Sequence, residues 1–328
     1  MAENPTTTET VDSCTSEVDA IESTASHDKS LPTMETKNTS VAVTTALPST
    51  ATGTDCGAGN LFEELEQVMA TVTTSQRQQW APQILELELA DQRRGLPLSG
   101  VSKKLVGMVR DYVACHHPEW TMAEFQTKYV KRLAAPFNCS LLNLMQVVLG
   151  ITCQQATIFV SHAWRYNNTR FFSCVCELDN TDDAHFWIDA LTVNQFHNHH
   201  GFEWWSKTFQ ECINKIEKTV LILFPYTNPI PLTRAWCLFE IFCTNRAGIE
   251  FEVVMDKAET AAFHAALTDR SFVFNDWVAR IDLSKAEAFD KSDKANILAA
   301  VKSDSHSGGI HGLNKRVIEL LRQWLTEQ

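Results

Sequence analysis

The sequence has no apolar run long enough to span a bilayer, which excludes a transmembrane helix. The longest apolar stretches, residues 141–151 and 220–225, fall far short of the roughly 20 residues that a spanning helix needs. No apolar segment follows Met1, so we expect no secretory signal. The chain has ten cysteines, several of them among apolar residues, where free thiols behave as small hydrophobes. These features predict a cytoplasmic protein without membrane contact.

Basic residues are also scarce. The chain has 28 Lys and Arg against 40 Asp and Glu, which gives a net charge of −12. Residues 1–60 contribute −7 of this, from two Lys against nine acidic residues. Because the remainder is mildly acidic and carries no basic stripe, the composition argues against sequence-independent binding of nucleic acid.

The sequence also lacks a glycine-rich phosphate-binding loop. Neither G-x-G-x-x-G nor the Walker-type G-x-x-x-x-G-K occurs, which argues against a dehydrogenase or an NTPase.

The N-terminal half divides into a polar tail and a helical region. Residues 1–60 contain 14 Thr and seven Ser but no Phe, Trp or Tyr, so we expect a disordered tail over residues 1–59. From residue 60 to 152, apolar residues recur at helical spacing between Pro and Gly breakers. Thr121 and Glu124 form the Thr-x-x-Glu pattern of a capping box. The pattern predicts four or five helices and no strand.

Residues 153–256 change to strands that alternate with helices. Short runs rich in β-branched and aromatic residues occupy positions 157–161, 185–189, 219–224 and 251–255. Segments of helical length lie between them, at about 170–179, 204–217 and 233–247. This alternation predicts an α/β domain with a parallel sheet covered by helices on both faces. Residues 257–328 return to helical spacing and predict C-terminal helices that pack on this domain.

Two short motifs carry a resemblance to the TIR (Toll/interleukin-1 receptor) superfamily. Phe159-Val160-Ser161 ends the first predicted strand, and Trp236-Cys237-Leu238-Phe239-Glu240 opens the helix after the third. They resemble the aromatic-aliphatic-Ser box and the Trp-Cys-x-x-Glu box of that family in type, order and separation. The block from Phe186 to Leu191 is similar to the equivalent block of heterokaryon-incompatibility domains. The resemblance covers about a third of the chain and implies a flavodoxin-like fold.

The resemblance also implies a chemistry. Many TIR domains cleave NAD⁺ at the nicotinamide–ribose bond with the glutamate of the Trp-Cys-x-x-Glu box, here Glu240, as the essential carboxylate. NAD⁺ would then be a substrate, with no permanently bound cofactor. Other TIR domains are adaptors that associate with one another and catalyse no reaction.

The residues around Glu240 are apolar, so its carboxyl is expected to be paired or to have a raised pKa. Thr233 is the expected N-cap of its helix, with Trp236 and Glu240 one turn apart on one face. The alternative is a structural glutamate paired with Arg234 or Arg246.

Further candidates follow the predicted strands, where α/β sheets bind ligands. By resemblance, His162 and Trp164 would line the nicotinamide pocket, although Trp164 would equally pack under its loop. Asp189 would bind ribose hydroxyls or cap the following turn, and Ser161 would satisfy loop amides. The predicted NAD⁺-binding set is Ser161, His162, Trp164, Asp189 and Trp236, with no metal.

Residues 190–205 correspond to the loop that mediates contacts between TIR domains. This segment lacks the Pro-Gly element common in that loop, so a different assembly geometry is expected. Its histidines, His197, His199 and His200, have no Cys or carboxylate at ligand spacing, which favours a polar loop over a zinc site.

The sequence thus supports three hypotheses. The chain is an NAD⁺ nucleosidase that acts on self-association, a self-associating scaffold without chemistry, or a domain that binds a dinucleotide without turnover.

Overall fold

The computed structural model describes residues 59–94, 97–178, 183–196, 202–216, 218–288, 291–304 and 308–327. The predicted tail over residues 1–59 lies outside the described residues except for Gly59. None of the helices in these described ranges is long and apolar enough to cross a membrane.

A six-stranded sheet runs through the described residues, flanked by helices. In chain order its strands are β1 (Ser99–Ser102), β2 (Gln154–Gln155), β3 (Ile158–Ser161), β4 (His185–Trp187), β5 (Lys218–Ile222) and β6 (Glu250–Val254). Their order across the sheet is β2-β1-β4-β3-β5-β6. The strands β4, β3, β5 and β6 are parallel and lie where the sequence predicts them.

Helices surround this sheet and account for most of the remaining described residues. In chain order they are α1 (Leu61–Ala70), α2 (Thr74–Arg94), α3 (Lys103–His116), α4 (Met122–Phe125), α5 (Lys131–Ala134), α6 (Leu141–Val148), α7 (Asn168–Glu177), α8 (Asp189–Thr192), α9 (Phe202–Ile216), α10 (Ala235–Ala247), α11 (Lys257–Thr268), α12 (Phe274–Val278), α13 (Lys291–Ser303) and α14 (Gly309–Thr326). A π-helical turn, Gln126–Val130, joins α4 to α5, and a 3₁₀ turn, Ile230–Thr233, precedes α10. The predicted capping box is confirmed, since Thr121 and Glu124 bond reciprocally at the start of α4.

The four predicted strands pair in parallel, but the expectation of a strand-free helical region is wrong. Strand β1 lies inside the region expected to be helical and pairs antiparallel with β2 and with β4. Its residues, Ser99-Gly100-Val101-Ser102, have little strand propensity, so pairing with its neighbours decides its conformation. Position 100 requires a glycine, because a Cβ atom there would lie only 2.8 Å from the Cα of Ala156, the residue that follows β2. The sheet is therefore mixed.

Strands β3, β4 and β5 are buried on both faces, and successive residues of β3 alternate between two cores. Ile158 and Val160 of β3 belong to the core that includes α1, α3 and α7. Phe159 belongs to the core that includes α9, α10 and α14. Because side chains alternate along a strand, Ser161 at the end of β3 shares the face of Phe159 and lies on the side of α10.

Helix α10 is buried on nearly every side, from Ala235 to Thr244, with helices α9, α13 and α14 packed against it. Helix α14 buries Val317, Leu321 and Trp324, as expected for a C-terminal helix that packs on the α/β domain.

Candidate functional site

A hydrogen bond between β3 and α10 forms the centre of the candidate site. The Ser161 hydroxyl donates to Glu240 Oε2 at 2.5 Å, and both side chains are buried. Strand alternation directs Ser161 towards α10, and the helical repeat places Glu240 opposite it. The alternative pairings do not form, because Arg234 contacts Glu287 and Arg246 contacts Asp304.

The expected N-cap of α10 is wrong by one residue. Arg234 takes the N-cap position without a side-chain cap bond, and Thr233 ends the preceding 3₁₀ turn. The Thr233 hydroxyl donates to the carbonyl of Ile230 and is unavailable to the helix. The start of α10 is fixed instead by a backbone bond, in which the Ala235 amide donates to the carbonyl of Glu287.

The environment of Glu240 favours its protonated form. Burial raises its pKa to about 8, the hydroxyl of Ser161 opposes the rise, and the nearby Asp189 carboxylate adds to it. The residue is only 7 % exposed. At pH 7 the carboxyl is therefore mostly neutral and able to donate a proton, and it becomes an anion when the pH rises or a cation approaches.

A second group of predicted residues meets at the carboxyl ends of β3 and β4. The indole Nε1 of Trp164 donates to Asp189 Oδ2 at 2.9 Å. Asp189 Oδ1 accepts from the backbone amide of Ala190, so this carboxylate also caps its own turn. Trp164 is half-buried, and the Asp189 side chain is 18 % exposed.

His162 lies between these two groups, with its side chain almost entirely buried. Its Nδ1 lies 3.2 Å from the carbonyl of Val160, an acceptor, which places the ring proton on Nδ1. Nε2 lies 3.7 Å from Asp189 Oδ1 and has no hydrogen-bond partner among the described residues. A buried polar atom without a partner, beside a carboxylate, is a candidate contact for a ligand.

The structure brings five of the six predicted residues to one edge of the sheet and directs the sixth elsewhere. The indole of Trp236 donates to Asp293 Oδ2 at 3.0 Å and packs against the rings of Phe202 and Phe209 on α9. It therefore contributes to the contact between α9 and α10, one turn away from Glu240.

The segment 190–205 is only partly a loop, because α8 includes its first residues and α9 its last. His197, His199 and His200 lie outside the described residues. Within the described ranges, no three His, Cys, Asp or Glu side chains are grouped as a metal site. Trp204 and Trp205 at the start of α9 pack against the core on the side of α10.

Two buried glutamines next to the site were not identified from the sequence. Gln195 Nε2 donates to the carbonyls of Asp189 and Val193, and Gln126 Nε2 donates to Gln195 Oε1 at 3.1 Å. A glutamine in an amphipathic stretch has no local signal for such a role, since the partner of Gln126 lies 69 residues away.

No family model, curated protein or solved structure matches this chain. The described residues define the class of the protein as α/β, with a mixed six-stranded sheet flanked by helices.

Proposed function

We propose that residues 153–256 are a TIR-like signalling domain with a flavodoxin-like core. The strand order supports this proposal. Numbered from β3, the parallel strands lie in the order second, first, third, fourth, which matches the start of the flavodoxin-like order. Ligands of such sheets bind beyond the carboxyl ends of the strands at the point where the order reverses, and Ser161 ends the central strand there.

The activity that the site supports best is hydrolysis of NAD⁺ at the nicotinamide–ribose bond, with Glu240 as the essential carboxylate. The observation that carries it is the buried Ser161–Glu240 pair at this edge of the sheet. In the reaction the N-glycosidic electron pair moves to the nicotinamide nitrogen, water adds to the ribose carbon, and one proton is released. A fixed carboxylate stabilises the oxocarbenium character that develops on the ribose.

The raised pKa of Glu240 is compatible with this role. Nicotinamide in NAD⁺ is cationic, and a cation beside a carboxyl favours its ionised form. Substrate binding would thus generate the carboxylate where the reaction needs it. Asp189 and the unpartnered Nε2 of His162 would bond ribose hydroxyls, and the indole of Trp164 would stack on the flat cationic ring.

This activity requires that NAD⁺ reach the buried carboxyl of Glu240. Glu240 is 7 % exposed, so residues around it have to move before a dinucleotide reaches the carboxyl. We infer that self-association of the domain supplies this opening.

The enclosure of Glu240 also favours a second function, a self-associating scaffold without chemistry. A neutral carboxyl bonded to Ser161 is then an internal polar contact that fixes α10 on β3. Free cysteines at the described positions suit a cytoplasmic location for either function.

The two functions separate in one assay of the full chain. NAD⁺ is incubated over a range of protein concentrations, and nicotinamide release is compared between wild type and Glu240→Gln. Turnover that rises with concentration and falls by at least about 10²-fold in the variant supports the nucleosidase. Oligomers without turnover support the scaffold, and binding of NAD⁺ without turnover supports a sensor. Turnover that survives the substitution removes Glu240 from the mechanism.

A further inference from the structure

The N-terminus of α4 contacts the loop that follows β3. The amide of Met122 donates to the carbonyl of Tyr166 at 2.8 Å, and the amide of Ala123 donates to the carbonyl of Trp164 at 3.0 Å. The first amides of a helix have no partner within it, and here they are used to fix the loop that carries Trp164. The reciprocal bonds of Thr121 and Glu124 fix the start of α4 itself.

One turn later, the same helical segment is connected by hydrogen bonds to Asp189, which accepts the bond from Trp164. Gln126, the first residue of the π-helical turn, donates to Gln195 Oε1, and Gln195 Nε2 donates to the carbonyl of Asp189 at 2.8 Å. Both glutamines are at least nine-tenths buried. π-Helical turns inside helices occur frequently at functional sites.

The orientation of both amides is determined by their partners. The two carbonyls of Asp189 and Val193 require the amino group of Gln195, so its oxygen faces Gln126 and requires a donor there. Because Gln195 Oε1 faces Gln126 as an acceptor, the amino group of Gln126 has to face it, which fixes the second amide. The pair is therefore a directed chain of hydrogen bonds that ends on the backbone of Asp189.

We propose that Gln126 and Gln195 are positioning residues that set the contact between Trp164 and Asp189, with Gln126 acting from outside the α/β segment. Helix α8, which begins with Asp189, is a single turn and is too short to be stable alone. The bond from Gln195 to the first carbonyl of α8 adds to the helical bond from the Val193 amide. The segment from α4 to α5 thus positions the loop of Trp164 and the turn of Asp189 together.

The test measures the chemical shift of the Trp164 indole N–H by ¹H–¹⁵N NMR of the full chain. The resonance is assigned through its loss in Trp164→Phe. Gln126→Met and Gln195→Met keep side-chain length and remove the amide, and Gln146→Met is the matched control. Gln146 lies on α6 in the same helical region, and its amide bonds to Asn143. We expect both site variants to move the Trp164 indole proton upfield, as its bond to Asp189 weakens, while Gln146→Met leaves it in place.

The double variant tests the chain of bonds. Because Gln126 acts through Gln195, the double variant should move the resonance no further than Gln195→Met alone. An unmoved Trp164 resonance in a folded Gln126→Met or Gln195→Met overturns the proposal, and so do additive shifts. If Gln195→Met does not fold, Gln126→Met decides by itself.

The effect on catalysis rests on the proposed function. Where wild type cleaves NAD⁺, Gln126→Met should lower kcat by about tenfold or more, because small misplacements of reacting groups have large effects on rate. Absence of cleavage by wild type contradicts the nucleosidase, whereas the NMR measurement still decides the positioning role. An unchanged kcat in a variant whose Trp164 resonance moves would show that this contact does not serve the reaction.

Discussion

The buried carboxyl of Glu240 makes the stability of the protein depend on pH in a way that a single substitution should remove. Burial raises its pKa from 4.5 to about 8, against the opposing bond from Ser161 and with a smaller contribution from Asp189. The folded state therefore binds a proton that the unfolded state releases between these two values. The stabilisation is complete below pH 4.5 and is lost as the pH rises through about 8.

The magnitude follows from the shift. Each pH unit corresponds to about 1.4 kcal/mol, so the wild-type free energy of unfolding should decrease by up to about 5 kcal/mol over this interval through Glu240 alone. Glu240→Gln is neutral at every pH, and its amide oxygen still accepts the bond from Ser161. The other titrating groups are common to both proteins. The difference between their free energies of unfolding therefore reports the contribution of Glu240.

The assay is equilibrium urea unfolding of wild type and Glu240→Gln at several pH values from 5 to 8, followed by tryptophan fluorescence. We expect the variant to become more stable relative to wild type as the pH rises. Glu86→Gln, at an exposed position on α2, is the control and should follow the wild-type dependence. Parallel stability profiles of wild type and Glu240→Gln would refute the assignment of a raised pKa to Glu240.

Two further predictions concern the N-terminal helical region. Gly100→Val should lower the free energy of unfolding by about 1–3 kcal/mol in thermal unfolding, because its Cβ would lie 2.8 Å from the Cα of Ala156. Gly107→Ala, in open space on α3, should instead raise stability by up to about 1 kcal/mol, and equal effects would contradict the close approach at β1. Glu88→Ala should cost about 3 kcal/mol in urea unfolding, because the amide of Ser140 and the side-chain amides of Asn143 and Asn194 lose their acceptor. A loss below about 1 kcal/mol would show that those donors find other partners.

Most helices and the four parallel strands follow from the sequence because their signals are local. The runs at 157–161 and 219–224 predict β3 and β5, and the Thr-x-x-Glu pattern at Thr121 predicts the start of α4. The apolar neighbours of Glu240 predict a carboxyl that is paired or has a raised pKa, and in the structure it is bonded to Ser161 and its pKa is raised. Spacing along the chain is sufficient for these features, since the backbone repeats of helix and strand determine which residues are buried.

Only the tertiary structure decided which residues are partners. Ser161 and Glu240 are 79 residues apart, and the pairing of β1 with β4 overrides the weak strand propensity of a Gly-Ser segment. Gln126 likewise reaches Asp189 only because the π-helical turn packs beside α8, through a partner 69 residues away. Such contacts depend on how crossovers and packing bring distant segments together, and no local pattern in the chain encodes that geometry. The sequence therefore determined that Glu240 is buried, and the fold determined that Ser161 is its partner.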